Sequence, residues 1–394
     1  MKILKTYKFR IYPTKANKCL FNKTFGCCRF IYNTMLYEIT NKKQRPTEKQ
    51  LKEKFPFLKE VDSIALQQSR INLQTGFKNF KNKKAKYPIF KSRKSRQSFR
   101  TVSTRGNIKI DFNNHTIKLP KMNPIKFRDP RTFTDPIRQV TVSLDKTGKY
   151  FVSILVETEI YVQPVEVFTE EKVIGGDMGI ATFITLSDGT KVPNPKFYRK
   201  LENSLRKAQK QFSKTKKRSK RREKLRRKVA AVHAKIVNCR KDFLHKLSSL
   251  IIKNFDGICI ENLNIKGMLK NRRLSKSIQD LGWAKFANML EYKAIWAGKT
   301  VLKAGRFFPS SKQCSACPYI KKTLSLSERF WTCPNCGAYH DRDINAAINL
   351  KKLLLEILLS TQGIRVTGHG LSGQSYAGGD DVRLKLAFAS NAVV

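Results

Sequence analysis

Four cysteines carry the sharpest chemical pattern in this sequence. Cys314 and Cys317 are separated by two residues, as are Cys333 and Cys336, and 15 residues lie between the pairs. That spacing matches a structural zinc site. Each pair bends into a knuckle that aims two sulfurs at one ion, and four thiolates complete the tetrahedron. No position is left open for water, so the expected Zn2+ folds the segment and does not catalyse. Gly337 follows the second knuckle, whereas Pro318 stands where a glycine would ease the first. Cys19, Cys27, Cys28, Cys239 and Cys259 lack such spacing and read as core residues.

Three carboxylates offer a second chemistry. Cleaving a phosphodiester with two divalent ions about 4 Å apart requires acids on rigid strand ends or helix starts. Asp177 closes an apolar strand and precedes Met178-Gly179, and Glu261 closes the apolar run Gly257–Ile260. Asp343 opens a helix whose Asn345, Ala346 and Ala347 are small enough to approach a sheet closely. Each acid also fits a plain structural role: turn former, strand-end charge or helix N-cap. Asp341 competes with Asp343 for the third position, and residue types alone do not separate them.

These side chains need a scaffold, which the hydropathy pattern outlines. Residues 1–13 alternate as a strand and stop at Pro13. From about 15 to 82 the period is helical. Leu66, Leu73, Phe77 and Phe80 share one face there, with Asp62 or Ser63 placed to cap it. The basic segment 78–101 is threaded with Phe80, Tyr87, Phe90 and Phe99, suited either to stacking on unpaired nucleotides or to a core. NIKIDF, TIKLPK, QVTVSLD and KYFVSILVET then read as strands of a small barrel or sandwich, the last two joined by a turn at Asp145–Gly148. The helical stretch is inserted after the first strand.

A second unit begins near 170 with a strand, a glycine turn and another strand over 172–189. A long helical segment, 196–253, a buried strand at 256–264 and a helix at 281–297 ending at Gly298 follow. The cysteine segment and an amphipathic helix at 344–359 complete it. The last 34 residues hold 6 of the 20 glycines without a sustained period and read as disordered.

Charge narrows the function. There are 394 residues, with 80 Lys+Arg against 29 Asp+Glu, a formal charge of +51. Such an excess attracts polyanions over long distances and argues against an enzyme for small neutral substrates. Hydrophobic residues at 40 % are enough for real cores. The N-terminus lacks a signal peptide's apolar core, no run approaches the roughly 20 apolar residues of a membrane span, and the CxxC pairs favour a reducing compartment. An intracellular nucleic-acid protein is expected.

In order along the chain, GGDMGIATFITLSDG, GICIENLNIKGM, PSSKQCSAC, CPNCG and HDRDINAAINL resemble the TnpB (OrfB) proteins of bacterial and archaeal insertion sequences. KFRIYPT, GCCRFIYNTML and PIFKSRKSRQSFRT fit the same family, so the resemblance covers about residues 1–359. It implies an α/β multidomain chain. Residues 1–14 and 101–168 would form a wedge-type β-barrel, interrupted by a helical recognition insert at 15–100. A RuvC-like nuclease domain of the RNase H fold would occupy 169–312 and 340–359, with a four-cysteine zinc ribbon at 313–339 and a tail at 360–394.

The same resemblance implies an RNA-guided DNA endonuclease. Its catalytic, Mg2+-binding triad falls on Asp177, Glu261 and Asp343, and its zinc ligands on Cys314, Cys317, Cys333 and Cys336. The implied partners are a guide RNA from the transposon end and double-stranded target DNA with a short adjacent motif, in a prokaryotic cytoplasm at the nucleoid. A transposase joining DNA ends, or a non-cleaving RNA-guided regulator, are the alternatives. All three acids are present, which favours cleavage. Between Lys196 and Ala230 stand 17 Lys/Arg against two acids, too few for intrahelical pairing, so this stretch is expected to line a nucleic-acid channel. Lys216, Lys217, Arg218, Arg221 and Arg222 are its candidate contacts, and Gln67, Gln68 and Asn72 are suited to reading base edges in the adjacent motif.

Overall fold

The computed structural model describes residues 1–41, 46–104, 106–325, 327–361 and 364–367, and the backbone of 383–385. The chain forms two compact units, Met1–Ile160 and Tyr161–Val394. No helix of the described residues is long and apolar enough to cross a membrane.

In the first unit, β1 (Lys2–Tyr12) buries Ile3, Phe9 and Ile11 on one face. It pairs antiparallel with β7 (Tyr150–Glu159), from Lys2 opposite Glu159 to Ile11 opposite Tyr150. Pro13 ends β1, and the Thr14 hydroxyl accepts the Asn17 amide to start α1 (Lys15–Thr40). Thr47 and Gln50 form a capping box for α2 (Glu48–Lys54), and Asp62 caps α3 (Ser63–Lys81). The second oxygen of Asp62 accepts the buried Thr101 hydroxyl at 2.6 Å, tying α3 to β2 (Gln97–Val102).

The remaining strands are β3 (Lys109–Asp111), β4 (Thr116–Lys118), β5 (Ile125–Phe127) and β6 (Ile137–Leu144). The order β2-β6-β7-β1-β5-β4-β3 places β1 centrally and leaves β2 and β3 at the edges. The sheet is an open half-barrel, where a small barrel or sandwich was the expectation. Of the aromatics of the basic segment, for which two uses were expected, the core claims one, and Tyr87 packs edge-on against Phe77 and Phe80. Phe99 is buried with Phe21 and Phe25, while Phe80, Tyr87 and Phe90 stay exposed.

The second unit opens with β8 (Val167–Thr169), β9 (Val173–Asp177), β10 (Thr182–Leu186) and β11 (Lys191–Pro193). The helices α4 (Phe197–Ser213) and α5 (Lys220–Asn254) follow. Then come β12 (Gly257–Ile260), α6 (Ile265–Met268), α7 (Ser275–Leu281), α8 (Trp283–Ala297) and β13 (Thr300–Lys303). The hairpin β14 (Phe330–Thr332) and β15 (Tyr339–Asp341) runs directly into α9 (Arg342–Ser360).

The main sheet has the order β11-β10-β9-β12-β13, continued by β17 (Arg383–Lys385). Strands β9, β12 and β13 are parallel to one another and β10 is antiparallel to β9. Both faces are covered, as a parallel core requires. Val173 and Cys259 turn toward α9 and pack with Leu350, Leu354 and Leu358. Ile174, Ile258 and Ile260 point the other way, onto Leu244, Ile251, Phe286 and Leu290 of α5 and α8. Gly175 marks the closest approach of α9. A Cβ there would strike the Ala347 carbonyl oxygen and lie 2.6 Å from the Lys351 nitrogen.

Three expectations change. The segment 196–253 is two helices, because Lys214–Ser219 turns the chain and the Ser219 hydroxyl caps α5 by accepting the Arg222 amide at 3.0 Å. The first unit ends at Ile160, before residue 168. The reason is that β8 pairs in parallel with β16 (Arg365–Thr367), and its Phe168 is buried among Val173, Leu302 and Leu350. The tail is partly ordered: Ile364 and Val366 pack on that same core, and β17 pairs with β13. The rest of 360–394 beyond Thr361 lies outside the described residues.

Candidate active site and metal centre

The parallel register sets the geometry of the acids. Val173–Gly176 pairs with Gly257–Ile260 position by position, so Asp177 and Glu261 are the next residues on adjacent strands. Alternation along the strands puts both on the face that α9 covers. Their carboxyl groups are within hydrogen-bonding reach of each other, and Asp343, on the first turn of α9, is close enough to act on both electrostatically. All three are half-buried. The structure thus brings together the three acids singled out by sequence.

It also separates Asp341 from Asp343. Asp341 is the N-cap of α9, accepting the amides of Asp343 and Ile344 at 3.0 and 3.1 Å, and it pairs with Lys191 at 2.6 Å. Against the cost of burial, Lys191 and those amides hold its carboxyl below the ordinary range. Asp341 is occupied by the fold. Asp343 is left facing the strand ends, with Arg329 at 3.4 Å.

Electrostatics fit a cation at this place. Burial, then Glu261, then Asp343 push the Asp177 carboxyl well above its ordinary range. Burial also raises Glu261, opposed by the Ser310 hydroxyl, Asp177 and the Arg342 guanidinium. The acids repel one another, offset in part by Ser310 and Arg342, and repulsion of this kind is the condition a divalent ion relieves. Among the described residues, the cysteine set is the one whose ligand atoms all lie within 4.8 Å. The three acids form a looser set, suited to spanning two ions rather than enclosing one.

Sequence reasoning missed the groups that hold these acids. Ser310 is buried and donates to Glu261 Oε1 at 2.8 Å. Asn349 donates to the Ser310 carbonyl at 2.8 Å, and Asn345 and Asn349 each donate to the Gln313 carbonyl at 2.7 Å. Asn345 Oδ1 accepts the Ser315 amide at 2.8 Å. One polar edge of α9, at positions i and i+4, thereby clamps the loop between β13 and the first cysteine pair. Two asparagines inside an apolar helix were the available signal.

The cysteine sulfurs are placed for one ion. A Zn–S bond of about 2.3 Å gives tetrahedral S···S edges of about 3.8 Å. Cys314–Cys336 and Cys317–Cys333 are 3.7 and 3.6 Å apart. The first knuckle closes through the Cys314 amide and the Tyr319 carbonyl at 2.9 Å and accommodates Pro318; the second uses Gly337 at φ +72°. Apart from these sulfurs, the module's core is essentially Trp331 with half-buried Tyr319 and Leu324, too little to fold unaided. His340, also buried, brings Nε2 to 3.0 Å from Cys314 Sγ.

The candidate nucleic-acid contacts are dispersed. Lys216, Lys217, Arg218 and Arg221 are exposed at the α4–α5 turn, with Arg218 at φ +66°. Arg222 is not free: it donates to the carbonyls of Phe212 and Thr215 at 3.2 and 2.8 Å and lies over the Phe212 ring. Gln67 and Asn72 are exposed on α3, but Gln68 is buried. Sequence gave no sign of a cleft of about 570 Å3 beside the Asp177 turn. Ile180, Lys196, Arg199, Arg273, Lys276 and Arg329 line it. Its two acids are engaged, Glu202 by Lys276 at 2.8 Å and Asp280 by Arg240 at 2.6 Å.

Comparison with known proteins gives three family matches. Residues 152–272 match the OrfB_IS605 family, described as "Probable transposase"; residues 283–350 match "Cas12f1-like, TNB domain"; and residues 1–48 match the OrfB_IS605 "Helix-turn-helix domain". A Streptomyces pristinaespiralis protein named "Putative RNA-guided DNA endonuclease" is 38 % identical over 379 residues, covering 92 % of each chain. The Escherichia coli (strain K12) "Putative RNA-guided DNA endonuclease InsQ" is 32 % identical over 384 residues, covering 89 % of this chain and 92 % of that one. The protein in a cryo-EM structure titled as a Cas12f1-sgRNA-target DNA complex aligns with a TM-score of 0.57 at 13 % identity, over 89 % of this chain and 99 % of that one. This last likeness is one of fold.

Proposed function

The chain belongs to the TnpB (OrfB) family, and from that premise we propose that it is a transposon-associated, RNA-guided DNA endonuclease with a Mg2+-dependent, RuvC-like site. One observation carries the reading: Asp177 and Glu261 end adjacent parallel strands on the face covered by the helix that bears Asp343. When bound, two Mg2+ ions supply Lewis-acid chemistry at a phosphodiester. Asp177, Glu261 and Asp343 are the residues to hold them. Ser310 fixes the Glu261 carboxylate, and the asparagine clamp fixes α9 against the loop that carries Ser310.

The adjoining cleft, with Lys196, Arg199 and Arg273, receives the backbone of the strand to be cut. Arg329, in contact with Asp343, stands where it can meet a phosphate oxygen. Sequence selection falls to base pairing with a guide RNA, so the protein requires charge and shape more than base contacts. The surplus of +51 is the counter-charge to that RNA. Zn2+ held by Cys314, Cys317, Cys333 and Cys336 is structural. The half-barrel strands act as the wedge and α1–α3 as the recognition insert, in a prokaryotic cytoplasm at the nucleoid.

The test is expression with the native flanking DNA, sequencing of co-purified RNA, and incubation with a matching duplex. Open double-strand breaks in Mg2+, absent in EDTA and with Asp177→Ala, are expected. Joined DNA ends would indicate a transposase, and guided binding without breaks would indicate a regulator; either overturns the proposal.

A further inference from the structure

A second pocket, far smaller, lies between α1, α3 and β2 in the first unit. Its volume is about 80 Å3, room for a phosphate-sized oxyanion. Arg29, Lys91, Arg96 and Arg100 line it, together with Ser95 and Ser98, and no carboxylate does. Four cations gathered without an acid repel one another, and an anion offsets that repulsion.

Lys91, Arg29 and Arg100 are held in place. The Asn33 side chain takes the Lys91 amide at 2.8 Å and donates to its carbonyl at 2.9 Å. Lys91 Nζ stands 3.6 Å over the Tyr32 ring, and burial lowers its basicity. Arg29 donates to Gln97 Oε1 at 3.4 Å, and Arg100 Nη2 to Asn72 Oδ1 at 3.3 Å. Arg100 Nε is buried with no hydrogen-bond partner. A buried guanidinium N–H left unmade is costly, and an oxyanion in the pocket would satisfy it.

We propose that this pocket is an oxyanion site that seats one backbone phosphate of duplex DNA. Duplex DNA is favoured over RNA by what adjoins the pocket. Asn72 lines it, and α3 carries exposed Gln67 and Gln74. A helix presenting amides fits the major groove of B-form DNA, whereas the A-form major groove is too narrow to read. A phosphate seat beside that helix fixes its register on the duplex without itself reading sequence. The inference rests on the nucleic-acid role proposed above, but its test requires neither guide nor metal, so a failure to find guided cleavage is a separate result.

The test is a salt titration of the full-length protein binding fluorescent 30-base-pair duplexes. Arg100→Gln is expected to weaken binding equally on two unrelated DNA sequences. It should also flatten the plot of log K against log salt by about 0.9, one phosphate contact. Ser95→Asp, whose carboxylate can still accept the Ser92 amide, should do the same and covers the case in which Arg100→Gln does not fold. Unchanged slopes in the folded variants overturn the proposal. So does a change confined to an RNA duplex of the same sequence. Stabilisation by inorganic phosphate that Arg100→Gln abolishes, with DNA binding unchanged, would mark a free-anion site and also overturn it.

Discussion

Asp177 and Glu261 occupy the next paired position beyond Gly176 and Ile260 on two parallel strands, which brings their carboxyl groups together at the strand ends. Parallel sheets offer sites at the carboxyl ends of their strands. Here the pleat adds a second condition, because both acids fall on the face toward α9. The consequence is an electrostatic load carried before any ion arrives.

That load gives a pH signature. Asp177 is held above its unfolded value by burial and by two neighbouring acids. A raised pKa contributes stability below the unfolded value that is lost as pH rises through the folded one. Metal-free protein should therefore lose stability from mildly acid pH upward through the raised value. Asp177→Asn should be more stable than wild type at neutral pH in EDTA, and inactive. Added Mg2+ should stabilise wild type and leave the variant's melting temperature unchanged. Melting curves from pH 5 to 8 check this; a variant less stable than wild type in EDTA would contradict it.

How much of this was legible in the sequence depends on range. The cysteine spacing is local and therefore readable, as were the strand ends at Asp177 and Glu261. Periodicity also found α1, α3, α8 and α9. Three-residue strands such as β5 and β16 are too short to show alternation. The split of 196–253 turns on Ser219 capping within a run of like charges. The half-barrel and the Ser310–Glu261 bond join positions tens of residues apart, and no single-sequence pattern records them. Asp341 and Asp343 were inseparable because capping and metal binding use the same side chain.

Ser310 should act through Glu261. Ser310→Ala removes the hydroxyl that accompanies Glu261 Oε1 while leaving the fold intact. Loss of such supporting bonds costs about 10–100-fold in metal affinity or activity. The Mg2+ concentration for half-maximal cleavage should rise, and excess Mg2+ should restore most of the rate. A lowered rate that no Mg2+ concentration restores would indicate damage elsewhere.

Gly175 tests the approach of α9. A methyl group there meets the Ala347 carbonyl and the Lys351 nitrogen, both backbone atoms that cannot rotate aside. Gly175→Ala should destabilise by about 1–3 kcal/mol or more, as overpacking does. Cleavage should fall even where the variant remains folded, because Asp343 moves with the helix. Circular dichroism melts and cleavage rates at low temperature separate the two effects.

Zinc removal should act at a distance. The β14–β15 hairpin that carries Cys333 and Cys336 ends at Asp341, the cap of α9. One zinc per chain is expected by elemental analysis. Cys333→Ser should lose it, expose 313–341 to protease and abolish cleavage, with the first unit still folded. Metal-binding free energy is folding free energy in so small a module. Full activity in a zinc-free preparation would exclude this linkage.

The sharpest test compares Asp341 with Asp343. Asparagine caps a helix about as well as aspartate, so Asp341→Asn keeps the bonds to the Asp343 and Ile344 amides and gives up only the pair with Lys191. That pair is partly exposed and worth at most about 1 kcal/mol. Asp341→Asn should therefore fold and cut nearly as wild type, whereas Asp341→Ala should lose about 0.5–2 kcal/mol with the cap. Asp343→Asn leaves the cap untouched and removes a carboxylate from beside Asp177 and Glu261. It should melt no lower than wild type in EDTA and show no cleavage at any Mg2+ concentration. Two residues apart, the same amide substitution is expected to be silent at one position and complete at the other. If Asp341→Asn abolished cleavage while Asp343→Asn retained it, the third metal ligand would be Asp341 and the site would have to be rebuilt around the Lys191 pair.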